Sequence, residues 1–301
     1  MLLGLFRLFA TDYFVSPSGT ESGLVTNHPA PFSVSDLNLN WLGSTNSNRA
    51  DITIYFYPGN YSVKGANVAN DYNQRLLIYN ATNRTIRLKG IPASDGSLPV
   101  LTLAALDANA GPLTNWCPTW PSSQSPYQDW LLRSYTTDVN NPLARDYANR
   151  IEIENLEFDG NFDGQGALTS AANETGYKSS AIEVWANTGH IRNVRVRNFG
   201  AVGAVPQPLV EGNIAGVEAF PVSIGTFSIG QTAQGGDLAP WLVEDVDVST
   251  FRTLHGGYGT MISGQVLTNI VPSGFSSPVA LVHRCSVNCP GTTIAFGPSD
   301  A

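Results

Sequence analysis

Four six-residue segments of this chain align without gaps. They are Ile153-Glu154-Asn155-Leu156-Glu157-Phe158, Ile191-Arg192-Asn193-Val194-Arg195-Val196, Val243-Glu244-Asp245-Val246-Asp247-Val248 and Val282-His283-Arg284-Cys285-Ser286-Val287. Each reads apolar, polar, bend, apolar, polar, apolar. Alternation on both sides of the bend predicts strands with one buried face. The bend position holds Asn, Asn, Asp and Arg, and Asn and Asp tolerate the left-handed backbone better than most residues. One such residue turns a strand directly into the next while the apolar side chains stay inside.

The repeats start 38, 52 and 39 residues apart. A second motif precedes three of them: Ala181-Ile182-Glu183-Val184-Trp185, Gly216-Val217-Glu218-Ala219-Phe220 and Thr260-Met261-Ile262-Ser263. The unit is then strand, turn, strand, one-residue bend, strand and a loop of variable length. Three strands per coil with stacked neighbours predict an all-β parallel solenoid. Leu76–Tyr79, Thr85–Leu88, Val100–Leu103 and Trp130–Tyr135 are weaker copies. No long amphipathic helical pattern is present, which excludes a βαβ architecture.

Composition agrees with a turn-rich β-protein. Charged residues are 13% of the 301, with 29 Gly and 19 Pro, while 42% hydrophobic residues supply a core. A net charge of −8 argues against nucleic acid or an anionic membrane surface as partner. No apolar run reaches the ~20 residues of a membrane helix. Met1–Ala10 is apolar and interrupted by Arg7, so residues 1–12 read as a secretory signal remnant or as a cap segment. Cys117, Cys285 and Cys289 cannot form a fully paired framework, and Cys285 reads as a buried free thiol. Asn60, Asn80, Asn83 and Asn173 stand in N-x-S/T sequons.

Several segments resemble a known superfamily. Tyr13-Phe14-Val15-Ser16-Pro17-Ser18-Gly19, followed by Pro31-Phe32-Ser33-Val34, is similar to the opening of secreted right-handed parallel β-helix proteins. Ile52–Tyr61 is similar to their first-coil PG-x-Y segment, and Phe158-Asp159-Gly160-Asn161 to their LDG(N) turn. The resemblance is to the pectate-lyase-like (pectin lyase fold) superfamily and spans roughly residues 13–298. It implies a single right-handed parallel β-helix over residues 13–301, with an N-terminal cap in the first ~50 residues. It also implies a secreted carbohydrate-active protein, extracellular, periplasmic or on the cell surface. The members include polysaccharide lyases, glycoside hydrolases, phage tailspikes and non-catalytic adhesins. The polygalacturonase signature set and the pectate-lyase arginine signature are not found, so the reaction stays open.

Two kinds of charge pattern stand out. Stacking the repeats gives outward columns Glu154, Arg192, Glu244, His283 and Glu157, Arg195, Asp247, Ser286. At ~4.8 Å per rung each Arg lies between carboxylates, a pattern that serves register and solubility. The second pattern is a pair. If the segments at Ile182 and Val217 are adjacent strands, Glu183 stacks on Glu218 and Trp185 on Phe220. Paired carboxylates without an interleaved cation share a proton, bind a cation, or stand solvated. A calcium ion would take Glu183 and Glu218, with Asp159 or Asp163. Lys178, His255 and Tyr258 are the candidates for proton transfer. Trp185, Phe220, Trp116 and Trp120 are the candidates for stacking on sugar rings. His190 begins a strand just after Asn187-Thr188-Gly189 and reads as a turn residue there.

The resemblance places the polysaccharide in a groove on the first-strand face. The expected activity is a polysaccharide lyase or glycoside hydrolase, and the rival is a glycan-binding β-helix without turnover. Ile294–Gly297 reads as the first strand of another coil, with no C-terminal cap after it. Either the chain is a fragment or its uncapped end is covered by a second subunit, and the second case makes a homo-oligomer the expectation.

Overall fold

In a computed structural model, the described residues are 11–18, 51–63, 73–78, 84–105, 127–134, 148–169, 177–202, 218–219, 222–226, 241–250, 252–254, 258–259, 262–267, 280–287 and 294–299. The strands among them begin with β1 (Thr11–Val15), β2 (Ile52–Phe56), β3 (Asn60–Val63), β4 (Asn73–Ile78), β5 (Thr85–Gly90), β6 (Val100–Leu103) and β7 (Tyr127–Ser134). Next come β8 (Ala148–Asp159), β9 (Tyr177–Arg197), β10 (Gly200–Val202), β11 (Glu218–Ala219), β12 (Val222–Thr226) and β13 (Trp241–Ser249). The last are β14 (Arg252–Leu254), β15 (Tyr258–Gly259), β16 (Ile262–Leu267), β17 (Ala280–His283), β18 (Ser286–Val287) and β19 (Ile294–Ser299). One 3-10 helix, Phe162–Thr169, follows β8.

The chain is all-β, and its strands pair mostly in parallel within one large sheet. The pairings form three ladders. The first runs β1, β2, β5, the first half of β8, the middle of β9, the first half of β13, and β17. The second runs β3, β6, the second half of β8, the end of β9, the second half of β13, and β18. The third runs β4, β7, the start of β9, β12, β16 and β19. Thr11–Val15, within the segment expected to form a cap, is itself a rung of the first ladder. The weaker copies seen in the sequence are the strands β4, β5, β6 and β7.

The four aligned repeats stack as the pattern predicts, with Ile153, Ile191, Val243 and Val282 in one register row. Their bend residues Asn155, Asn193, Asp245 and Arg284 have φ of 57°, 49°, 53° and 48°. Each is a single left-handed residue between the first and second ladders. Asn193 Nδ2 donates to Asn155 Oδ1 at 2.8 Å, and Arg284 clamps the Asp245 carboxylate at 2.5 and 2.7 Å. A second left-handed column, Asn198 (φ 56°) and Thr250 (φ 52°), ends the second ladder.

The apolar residues of all three ladders meet in one core. Ile151, Ile153, Leu156, Phe158, Ile182, Val184, Ile191, Val194 and Val243 are fully buried. Cys285 continues the inward column as a half-buried free thiol, and burial pushes its pKa up. Tyr61 sits inside with its hydroxyl donating to the Val15 and Tyr57 carbonyls at 3.0 and 2.6 Å.

The bend column yields a stability prediction. Asn193→Gly keeps the left-handed turn and loses one side-chain hydrogen bond. Asn193→Val forces a β-branched residue into that conformation and costs about 1–2 kcal/mol more. Urea unfolding midpoints of the two variants measure the difference, and equal midpoints would show that the bend carries no strain.

Candidate functional site

The ion-pair columns occupy the outer side of the first and second ladders. Glu152 receives Arg87 Nε at 3.1 Å and Arg150 Nε at 2.6 Å, and Lys89 Nζ reaches Glu154 at 3.3 Å. Arg192 Nε lies 3.3 Å from Glu244, Arg197 Nε 2.7 Å from Glu157, and Arg284 Nη2 3.4 Å from Glu244. Ser286 hydrogen-bonds Asp247. Every rung between β5 and β17 therefore meets the opposite charge on a neighbour. That is how a parallel stack of charged side chains is held in register.

His190 corrects the sequence reading. It lies inside β9, with Nε2 3.1 Å from Glu244 and Nδ1 3.8 Å from Glu154. Gly189 before it is also a strand residue, paired with Ile151 of β8, and the Trp241 ring fills the space where a Cβ would stand. A glycine inside an alternating pattern signals such a close approach as readily as a turn.

Burial alone would raise the Glu152 carboxyl, but the Arg150 hydrogen bond and the charges of Arg87, Arg150 and Lys89 outweigh it. The net effect holds the group below its ordinary 4.5. A depressed folded pKa contributes stability above the unfolded value and loses it as pH falls through the folded one. Glu152→Gln is therefore expected to be less stable than the parent at neutral pH, with the gap closing below about pH 4. Urea midpoints measured across that range check it, and a pH-independent gap would contradict the linkage.

The expected carboxylate pair is not formed. Ile182, Glu183, Val184 and Trp185 of β9 pair with Val222, Ser223, Ile224 and Gly225 of β12. Glu183, half-buried, has Arg133 of β7 and Ser223 of β12 as its register neighbours. A cation position thus stands beside it, and Trp185 is paired with Gly225 instead of Phe220. Glu218 lies on β11, which pairs with β15 in a separate two-stranded sheet, Glu218 beside Tyr258 and Ala219 beside Gly259. Val217-Glu218-Ala219 and Val222-Ser223-Ile224 share one alternating pattern, so alternation alone does not choose between them.

The expected calcium ligands are also dispersed. Asp159 ends the β8 strand of the second ladder. Its carboxylate accepts from the Asn161 amide at 2.9 Å and from Asn198 Nδ2 at 3.1 Å, and meets Arg197 Nε at 3.2 Å. It is a turn-former with its oxygens already engaged. Asp163 is exposed on the 3-10 helix, Glu183 is on the third ladder and Glu218 on the small sheet. Among the described residues no group of three or more His, Cys, Asp or Glu is set to hold a metal ion.

Other candidates do converge. β10 folds back on the start of β9 as an antiparallel partner, Ala201 beside Lys178 and Val202 beside Tyr177. β14 adds to β10 in parallel, placing Leu254 beside Val202, and His255 follows Leu254 in the chain. β11 packs against β9 and β10, and β15 against β10. Lys178, on the third ladder beside Gln128, thus stands on the strand against which β10 and β11 pack, while Tyr258 of β15 packs against β10 and pairs with Glu218. Trp116, Trp120, Phe220 and His255 lie outside the described residues. Comparison of this chain with protein-family models, with curated proteins and with solved structures finds no match.

Proposed function

We propose that the three ladders are the faces of a right-handed parallel β-helix of the pectate-lyase-like kind, and that the protein is a secreted polysaccharide lyase. The observation that carries the proposal is the register pairing of Glu218 with Tyr258, on a small sheet packed against the strands that hold Lys178 and its neighbours. β-Elimination from a uronate needs a base for the proton next to the carboxylate and an acid for the departing glycosidic oxygen. In this reading Lys178 takes the proton, Tyr258 protonates the leaving oxygen, and Glu218 orients the tyrosine. The C–H and C–O bonds break, a C=C bond forms, and water is not consumed. The polysaccharide runs along the third ladder past Glu183 and Trp185. The lyase is preferred to a hydrolase because Glu183 and Glu218, the acid pair a hydrolase would use, are not register partners.

The test is incubation with a panel of acidic and neutral polysaccharides. Unsaturated products are followed by ultraviolet absorbance and new reducing ends in parallel. The expected result is unsaturated ends, with Tyr258→Phe about a hundredfold slower and equally folded. Reducing ends without unsaturation would replace the lyase by a hydrolase. Binding without either product would make the protein a glycan-binding β-helix.

A further inference from the structure

Besides its strand pairings, the lip of β10, β11 and β15 that carries the candidate site is held by one buried hydroxyl. Ser179 of β9 is fully buried, in a strand whose next inward residues, Ala181 and Ile182, are apolar core. Its Oγ accepts from the Gly200 amide at 3.1 Å and donates to the Gly200 carbonyl at 3.4 Å. Gly200 is itself buried and is the first residue of β10. One side chain therefore satisfies both backbone groups at the point where the chain leaves the second left-handed bend and reverses along β9. The next residues, Ala201 and Val202, pair with Lys178 and Tyr177, and β14 builds on the same strand. β11 and β15 rest against β10 in turn. Buried backbone groups demand partners. No other side chain among the described residues is bonded to Gly200, so Ser179 is the side chain that ties the start of β10 to β9, alongside the backbone pairings.

We propose that Ser179 is a positioning residue for the lip site. It touches no substrate, and it fixes β10 so that Glu218 and Tyr258 stand at a set distance from Lys178. The proposal rests on the lyase reading of that site. The test is Ser179→Ala in the full chain, with two independent readouts. By amide hydrogen exchange, the Gly200 and Ala201 amides are expected to exchange about tenfold faster or more, with core amides such as Ile153 and Ile191 unchanged. In turnover of whichever polysaccharide the parent cleaves, kcat is expected to fall about tenfold with KM little changed, since the loss is in alignment of the reacting groups. Ser179→Cys, which keeps a weak donor and acceptor, should recover part of both. Unchanged exchange at Gly200 would overturn the clasp. Faster exchange with unchanged kcat would leave a purely structural serine and overturn the positioning role. Faster exchange in a protein whose parent cleaves nothing would retire the lyase reading, and the positioning role with it, while the clasp would stand. If Ser179→Ala fails to fold, Gly200 exchange in Ser179→Cys decides in its place.

Discussion

Trp241→Ala is expected to cost about 4 kcal/mol, among the largest losses available from a single side chain here. Trp241 opens β13, is fully buried, and lies in the register row next to Gly189. A Cβ on Gly189 would fall on the Trp241 six-membered ring, so the ring occupies the place of the missing side chain. Truncation removes the largest fully buried side chain among the described residues and opens a hole over Gly189 that cannot collapse without bending β9. Of a total stability of roughly 5–15 kcal/mol this is a large fraction. The reverse substitution, Gly189→Ala, overpacks the same place and costs about 1–3 kcal/mol. The two are expected to be strongly non-additive. In the Trp241→Ala background the added methyl has room, so most of the Gly189→Ala penalty disappears. Trp241 Nε1 finds no hydrogen-bond acceptor among the described residues. Trp241→Phe should therefore cost much less than Trp241→Ala, because it drops an unsatisfied donor while keeping most of the volume. Denaturant unfolding of the four variants measures all of this, and additive losses would show that ring and glycine are not a unit.

Gly90→Ala is expected to cost about 3 kcal/mol, at the upper end for one added methyl. Gly90 ends β5, and a Cβ there would collide with the backbone carbonyl of Asn155, with the Pro99 ring close behind at 3.0 Å. The obstacle is main chain, so no rotamer change relieves it. That main chain is the first of the four left-handed bends, which is tied to the second by the Asn155–Asn193 hydrogen bond. Relief therefore means shifting the column. Gly96→Ala is the matched control. Gly96 has φ of 82° with nothing within 4 Å of an added Cβ, so it incurs only the backbone strain, about 1–2 kcal/mol. A difference of about 1–2 kcal/mol between the two variants, read from urea unfolding, is the expected result. Equal losses would place the cost in glycine's chain entropy and not in the collision.

The aligned repeats are legible in the sequence because each obeys a local rule. Period-two alternation marks the buried face, and an Asn or Asp between two alternating runs marks the bend. Arg284 shows the rule at its limit. Nothing about Arg favours a left-handed backbone, yet its rung inherits the conformation from the three below, and its guanidinium is clamped by Asp245. The charge columns were legible for the same reason, since stacking in register follows once the repeats are aligned. His190 was misread because Gly189 looked like a turn. The pairing of Gly189 with Ile151 makes it strand, and the ring of Trp241, more than fifty residues later, explains why a glycine stands there.

The candidate site was legible in its residue types and not in its pairings. Alternation puts Glu218 on the rung above Glu183 as readily as Ser223, since the segment around it alternates in the same way as Val222-Ser223-Ile224. A loop of variable length precedes each rung, so chain distance does not decide which segment docks. The register places Ser223 there and sends Glu218 to Tyr258. By itself the sequence determined that the chain is all-β, which residues face inward, and where the strand-to-strand bends fall, because alternation and left-handed propensity act over a few neighbouring residues. Which strand meets which, which glycine holds a ring, and which acid lies beside which base were decided by the tertiary structure, because those contacts depend on how loops of unequal length return the chain to the stack.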